Sequence, residues 1–166
     1  EGVSLSMLVM TVFNILLSKI CGQEDLVTGI VTAGRNHSDI QGIIGMFVNT
    51  LPLRNYPEPG KTFKHFLSEV KESMLDGFEH QDFQFEDIVG LLGIAGDAGR
   101  NPLFDVMFSY DTDPGTQDDT VGGLGELNVS LVPYDNKTAK FDLTLNAHET
   151  ADDLLLSFEY CTALFT

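Results

Sequence analysis

Residues 44–54 read Ile44-Gly45-Met46-Phe47-Val48-Asn49-Thr50-Leu51-Pro52-Leu53-Arg54. Apolar and β-branched residues run together here, and Pro52, Pro57 and Pro59 punctuate its end and the next few residues. The pattern predicts a strand over Ile44–Leu53, stopped by the prolines because proline donates nothing to a sheet ladder. Asn49 is the odd residue, since asparagine is disfavoured in strands. A buried amide must find hydrogen-bond partners. Two accounts stand open: Asn49 pins the sheet at a bulge or through a hydrogen bond, or its amide lines a polar channel.

The fold class comes from the segments flanking that strand. Upstream, Leu5 to Ile20 is the most apolar run of the chain. It falls short of the ~20 residues a membrane span needs, and Ser6, Thr11, Asn14 and Ser18 interrupt it. It therefore predicts a buried core helix, capped by Ser4 or Ser6 and ended at Gly22. Leu26 to Thr32 predicts a strand, and Ala33-Gly34-Arg35-Asn36 a turn. Downstream, Thr62 caps an amphipathic helix that places Phe63, Phe66, Leu67, Val70 and Met74 on one face and ends near Gly77. Phe85 to Leu92 predicts a short turn or helix. Phe104 to Tyr110 alternates, so Phe104, Val106, Phe108 and Tyr110 share one face. Phe141, Leu143 and Leu145 do the same, and Leu154 to Tyr160 predicts a last strand. Asp111 to Gly123, rich in Asp and Gly, predicts a loop. The order is helix, strand, strand, helix, then strands: a mixed α/β chain with helices packed on a sheet.

Composition narrows the function. The chain has 166 residues, 43% of them hydrophobic, with 25 acidic and 9 basic residues and a formal charge of −16. Such a surface repels phosphate backbones and anionic lipid, which argues against nucleic acid and membranes as partners. Cys21 and Cys161 form no C-x-x-C pair, so neither a disulfide framework nor a zinc site is indicated, and a cytoplasmic setting fits. The residues from Glu1 onward do not read as a signal peptide, and the abrupt opening into a helix suggests a piece of something larger. Three N-x-S/T sequons, at Asn36, Asn128 and Asn136, carry weight only in a secreted chain. Asp111-x-Asp113 resembles the start of a calcium loop, but Gly115 stands where a third ligand belongs and no Glu follows at the required spacing. No metal site is expected.

Two further segments carry chemistry-bearing residues. In His80-Gln81-Asp82-Phe83-Gln84-Phe85-Glu86, a histidine near two carboxylates suits acid–base work. It equally suits a loop that caps the helix from Phe85, with Asp82 or Gln84 near its start. No nucleophile adjoins His80, which favours the structural role. In Gly99-Arg100-Asn101-Pro102-Leu103-Phe104, Pro102 biases Asn101 toward extended backbone. Arg100 presents a rigid, permanently charged fork suited to an internal carboxylate, or to a substrate anion.

Order and spacing make these three segments resemble the later signature motifs of nonribosomal peptide synthetase condensation domains: G-x-F-V-N-T-x-x-x-R, H-Q-D-Y-P-F-E and S-R-N-P-L-F. Gly45, Phe47, Val48, Asn49, Thr50 and Arg54 match the first. His80, Gln81, Asp82, Phe85 and Glu86 match the second, and Arg100, Asn101, Pro102, Leu103 and Phe104 the third. The flanks Gly22-Gln23-Glu24-Asp25, Ala33-Gly34-Arg35, Phe141-Asp142-Leu143 and Tyr160 to Phe165 also resemble the family. Phe83-Gln84 replaces the usual Tyr-Pro, which loosens that turn, and Gly99 replaces Ser.

The resemblance implies one chloramphenicol acetyltransferase-like lobe, with residues 1–166 as the C-terminal subdomain (partial) and the N-terminal lobe absent. Two such lobes form a V around a tunnel. Peptidyl carrier proteins there present aminoacyl and peptidyl thioesters on phosphopantetheine arms, and an amide bond forms. The family's essential histidine lies in an H-H-x-x-x-D-G motif. His37, His65, His80 and His148 include no adjacent pair. No catalytic residue is therefore expected in this segment, and alone it is expected to be inactive. Asn49, Arg54, His80, Gln81, Asp82, Glu86, Arg100 and Asn101 are expected to be tunnel or structural motif residues. Expected partners are the N-terminal lobe, carrier proteins and a neighbouring adenylation domain; no directly bound cofactor is expected. Alternatives are an epimerisation or cyclisation relative and a non-catalytic carrier-docking scaffold. The intact F-V-N-T and R-N-P-L-F stretches favour condensation over the former. An H-H-x-x-x-D-G motif upstream would separate the enzyme from the scaffold.

Overall fold

The computed structural model describes residues 2–94, 99–112 and 137–165. Helix α1 spans Leu5–Cys21. Its cap is Ser4, whose Oγ accepts from the Met7 N–H at 3.2 Å. Gly22 closes it in the left-handed conformation, and its N–H donates to the Ser18 carbonyl at 2.9 Å. Strand β1 (Leu26–Thr32) comes next, then a four-residue helix α2 (Ser38–Gln41) that the sequence pattern does not announce. Strand β2 is Asn49–Asn55, and helix α3 is Phe63–Glu79 with Thr62 as its cap. Helix α4 (Phe85–Leu92), β3 (Val106–Thr112), β4 (Leu143–Glu149) and β5 (Leu154–Tyr160) complete the described elements.

The strands form one mixed sheet in the order β2-β1-β3-β4-β5. The outer pairs, β1–β2 and β4–β5, are antiparallel, whereas β1–β3 and β3–β4 are parallel. Helices α1 and α3 lie side by side on one face. Thr28 of β1 donates to Asn14 Oδ1 of α1 at 3.2 Å, and Phe13 of α1 meets Phe108 of β3 and Phe158 of β5. Met10, Phe13, Val70, Phe108 and their neighbours make the core between these layers. The mixed α/β lobe with helices on a mixed sheet is the class the sequence predicts.

Five boundaries differ from expectation, four of them for a physical reason that the structure shows. The strand predicted over Ile44–Leu53 begins at Asn49, because Arg35 takes the backbone upstream of it. The Arg35 guanidinium donates to the carbonyls of Ile40, Ile43 and Gly45 and lies 4.5 Å from the centre of the Phe47 ring. Pro52 does not stop β2, since it sits opposite Gly29 on a strand at the sheet's edge, where proline is tolerated. Helix α3 continues past Gly77 to Glu79, and the missing side chain lets the helix approach Leu53. Phe104 precedes β3 instead of opening it. Its ring lies over Gly29, on the face away from α1, so it does not share a face with Val106, Phe108 and Tyr110. Asp111 and Thr112, expected in a loop, belong to β3; residues 113–123 lie outside the described residues, as do Asp113 of the calcium-like pattern and the sequons at Asn128 and Asn136.

Candidate functional site

Where β2 begins, Asn49 is buried and its amide is fully used. Nδ2 donates to the carbonyls of Gln81 at 2.8 Å and Phe83 at 2.9 Å, and Oδ1 accepts from the Thr50 N–H at 2.8 Å. An asparagine inside a strand thus serves as a clasp for the 80–84 loop. From the other side, Asn36 Nδ2 donates to Asp82 Oδ1 at 2.7 Å. His80 caps the end of α3, and its Nδ1 is 2.8 Å from the Asp76 carbonyl. A carbonyl only accepts, so Nδ1 carries the proton of that bond. Gln81 Nε2 donates to the Phe78 carbonyl at 2.8 Å. Neither Asp82 nor Gln84 caps α4: Gln84 occupies the cap position without a side-chain cap bond, and Asp82 is held by Asn36.

This loop forms one wall of a groove of about 580 Å³, lined by Leu51, Pro52, Leu53, His80, Phe83 and Ile88 among others. His65, beside Glu69, and His148, beside Asp111, do not line it. Glu86, in the first turn of α4, is exposed.

The remaining motif residues gather at the other end of β2. Arg54 makes a two-pronged pair with Asp25, Nε to Oδ1 at 2.8 Å and Nη2 to Oδ2 at 2.6 Å. The pairing holds the Asp25 carboxyl below its usual range and raises the arginine further. Arg100 pairs with Asp142 at 2.6 Å and Asp105 at 3.2 Å, and these two carboxylates raise its pKa. Asn101 Oδ1 accepts from the N–H groups of Leu103 and Phe104 at 2.9 and 3.1 Å. That turn aims Phe104 at Gly29, where it also stacks against Phe85 and Phe141. Asp25, Asp105 and Asp142 line a common hollow of about 340 Å³.

The eight candidate residues therefore form no single site. Asn49, His80, Gln81 and Asp82 come together, Arg54 lies with Asp25, Arg100 lies with Asp105 and Asp142, Asn101 holds the turn before Phe104, and Glu86 stands exposed on α4. Sequence reasoning missed Asn36, Asp25, Arg35 and Asp142 as partners. The signal was present in the flanks: Asp25, Arg35 and Asp142 each stand in a flanking stretch that resembles the family. Among the described residues no group of three or more His, Cys, Asp or Glu side chains is placed to hold a metal ion. Chemically, the arrangement is a frame. Apart from Glu86, each candidate residue's side chain bonds to another side chain or to the backbone.

The condensation-domain family model matches residues 1–166. The chain belongs to the condensation-domain family. As a condensation-domain chain, it is 46% identical over 164 residues to tyrocidine synthase 3 of Brevibacillus parabrevis, covering 99% of this chain and 2% of that protein. It superposes on holo-AB3403, a four-domain nonribosomal peptide synthetase bound to AMP and glycine, with a TM-score of 0.86 and 24% identity. That match covers 96% of this chain and 13% of the other. On the first condensation domain of the CDA synthetase the TM-score is 0.71 at 23% identity, covering 99% of this chain and 35% of that one. The chain thus spans about a third of that solved condensation domain and a few per cent of the synthetase it matches. These likenesses show that the condensation-domain chain has the fold of the corresponding part of those solved structures. No helix among the described residues is long and apolar enough to cross a membrane.

Proposed function

We propose that residues 1–166 are the C-terminal lobe of a nonribosomal peptide synthetase condensation domain, and that the lobe supplies one wall of the tunnel in which amide bonds form. In the reaction, the amine of one carrier-bound aminoacyl group attacks the thioester carbonyl of another. A C–N bond forms, the C–S bond breaks and a thiol leaves. Phosphopantetheine arms of two carrier proteins would bring both reactants. The N-terminal lobe would supply the proton-handling histidine, and an adenylation domain would lie alongside. The setting is cytoplasmic.

One observation carries this reading: the three motifs, in a chain that matches the family over its whole length, each fix a local piece of backbone through bonds within the chain. A frame positions reactants, and positioning supplies much of the barrier reduction in a two-substrate reaction. It cannot move the proton, so half a tunnel is inert. In the deciding experiment, this chain is mixed with loaded donor and acceptor carrier proteins, with the intact parent domain run in parallel. Amide product is expected from the parent alone. Product from residues 1–166 by themselves would overturn the proposal, and a parent that binds carriers without ever turning over would make the lobe a docking scaffold.

A further inference from the structure

The sheet face turned away from α1 and α3 divides into two halves. Strand register stacks its residues in rows across the strands. Pro52, Gly29, Met107, Thr144 and Glu159 form the row toward the amino ends of the parallel strands. There the Phe104 ring, stacked on Phe85 and Phe141, covers Gly29, and Met107 and Thr144 are buried. The next row is Thr50, Val31, Ser109, Asn146 and Ser157, and it is open. Val31 is 45% exposed, Ser157 is exposed, and Ser109 and Asn146 are half-buried.

Parallel strands are ordinarily apolar on both faces. This row breaks that pattern on β3 and β4 with a serine and an asparagine. Asparagine is disfavoured in strands. Asn49 accounts for its place with three hydrogen bonds. By contrast, the Asn146 amide and the hydroxyls of Ser109 and Ser157 have no side-chain partner among the described residues. The row lies toward the carboxyl ends of β1, β3 and β4, which is where open α/β sheets take their ligands. It begins at Thr50, next to Asn49, so it joins the motif frame at one end of the sheet. One row further on, Asp111 and His148 face each other at 3.9 Å.

We infer that Ser109, Asn146 and Ser157 select the side chain of an aminoacyl group in the tunnel, and that they favour a carboxamide. The inference rests on the proposal that this lobe is a tunnel wall, and it names the substrate class that the wall prefers. The Asn146 amide offers a donor and an acceptor side by side, so a second carboxamide pairs with it through two hydrogen bonds. An aliphatic side chain laid on the row strips water from these groups and returns no bond. Asp111, at the end of the row, sets its carboxylate against an acidic side chain.

The test measures binding of carrier proteins to the intact parent domain. Their phosphopantetheine arms hold glutamine, leucine or glutamate through an amide in place of the thioester, so nothing transfers. Each is offered as the donor and as the acceptor carrier, which tells the two aminoacyl groups apart. On one of the two carriers, glutamine is expected to bind about tenfold more tightly than leucine or glutamate. The preference over leucine is expected to vanish in Asn146→Val and to shrink in Ser109→Ala. Should Asn146→Val fail to fold, Ser109→Ala still reports. An unsubstituted domain without the preference overturns the inference, as does a preference that every folded variant keeps. Amide formation from the matching thioesters is followed in parallel. Product without the preference sinks this inference alone, and the preference without product sinks the functional proposal alone.

Discussion

At the scale of single residues, Asn49 is where sequence oddity and structural role coincide. Its amide saturates two carbonyls of the 80–84 loop. Asn49→Ala strands both acceptors in a partly buried place, which costs about 1–3 kcal/mol. Asn49→Asp is worse, because it sets a carboxylate against two carbonyl oxygens. Denaturant midpoints at constant slope measure both, and an unchanged midpoint for Asn49→Asp would refute the clasp. Tyr110 supplies the pH dependence. Its hydroxyl donates to Glu149. Burial first, then that carboxylate, pushes the phenol up to about 12, against about 10 for a free tyrosine. The folded state keeps the proton where the unfolded state has lost it. This stabilisation is complete below pH ~10 and is lost as the pH climbs toward ~12. In an absorbance titration of the four tyrosines, the last step is expected to vanish in Tyr110→Phe. A persisting last step would assign it to another tyrosine.

At the scale of elements, three glycines separate tolerance from strain. A Cβ at Gly34 would fall 1.8 Å from the Phe47 carbonyl oxygen, and its φ of 61° disfavours any side chain. At Gly29 the obstacle is the Phe104 ring at 2.3 Å, whereas at Gly77 it is the tip of Leu53 at 2.8 Å. Gly34→Ala should destabilise most, because backbone must move. Gly29→Ala should cost about 1–3 kcal/mol as the aromatic stack shifts. Gly77→Ala should come near neutral, since Leu53 can turn and alanine gains about 1 kcal/mol in a helix interior. Thermal melts rank the three, and a Gly77→Ala loss as large as that of Gly29→Ala would refute the ordering. The same elements explain what the sequence made legible. Period and caps located α1, β1, α3 and β5, because those signals are local. The start of β2 was hidden, because Arg35 withholds the backbone of residues 40–45 from ten residues or fewer away through a side chain that no periodicity reports. The site was half legible: the motif residues were identified, but their partners Asn36, Asp25 and Asp142 lie 46, 29 and 42 positions from the side chains they hold.

At the scale of the whole molecule, two electrostatic effects respond oppositely to salt. The formal charge of −16 makes the surface repel itself. Against it stand contact pairs such as Arg54–Asp25 at 2.6 Å, Lys61–Glu69 at 2.8 Å and Arg100–Asp142 at 2.6 Å. The screening length is about 8 Å at 0.15 M salt. The pairs lie well inside it and lose little, and exposed pairs such as Arg54–Asp25 stabilise only weakly. The repulsion acts between charges many ångströms apart, so salt removes most of it. The melting temperature is therefore expected to rise as sodium chloride goes from about 10 mM to about 0.15 M. Chloride is the anion to use, because sulfate would also strengthen apolar burial. Asp25→Asn should shift the whole curve slightly downward without changing its slope, since it deletes one short pair and one charge of 25 acidic residues. A melting temperature that falls with added sodium chloride would mean that the contact pairs outweigh the repulsion.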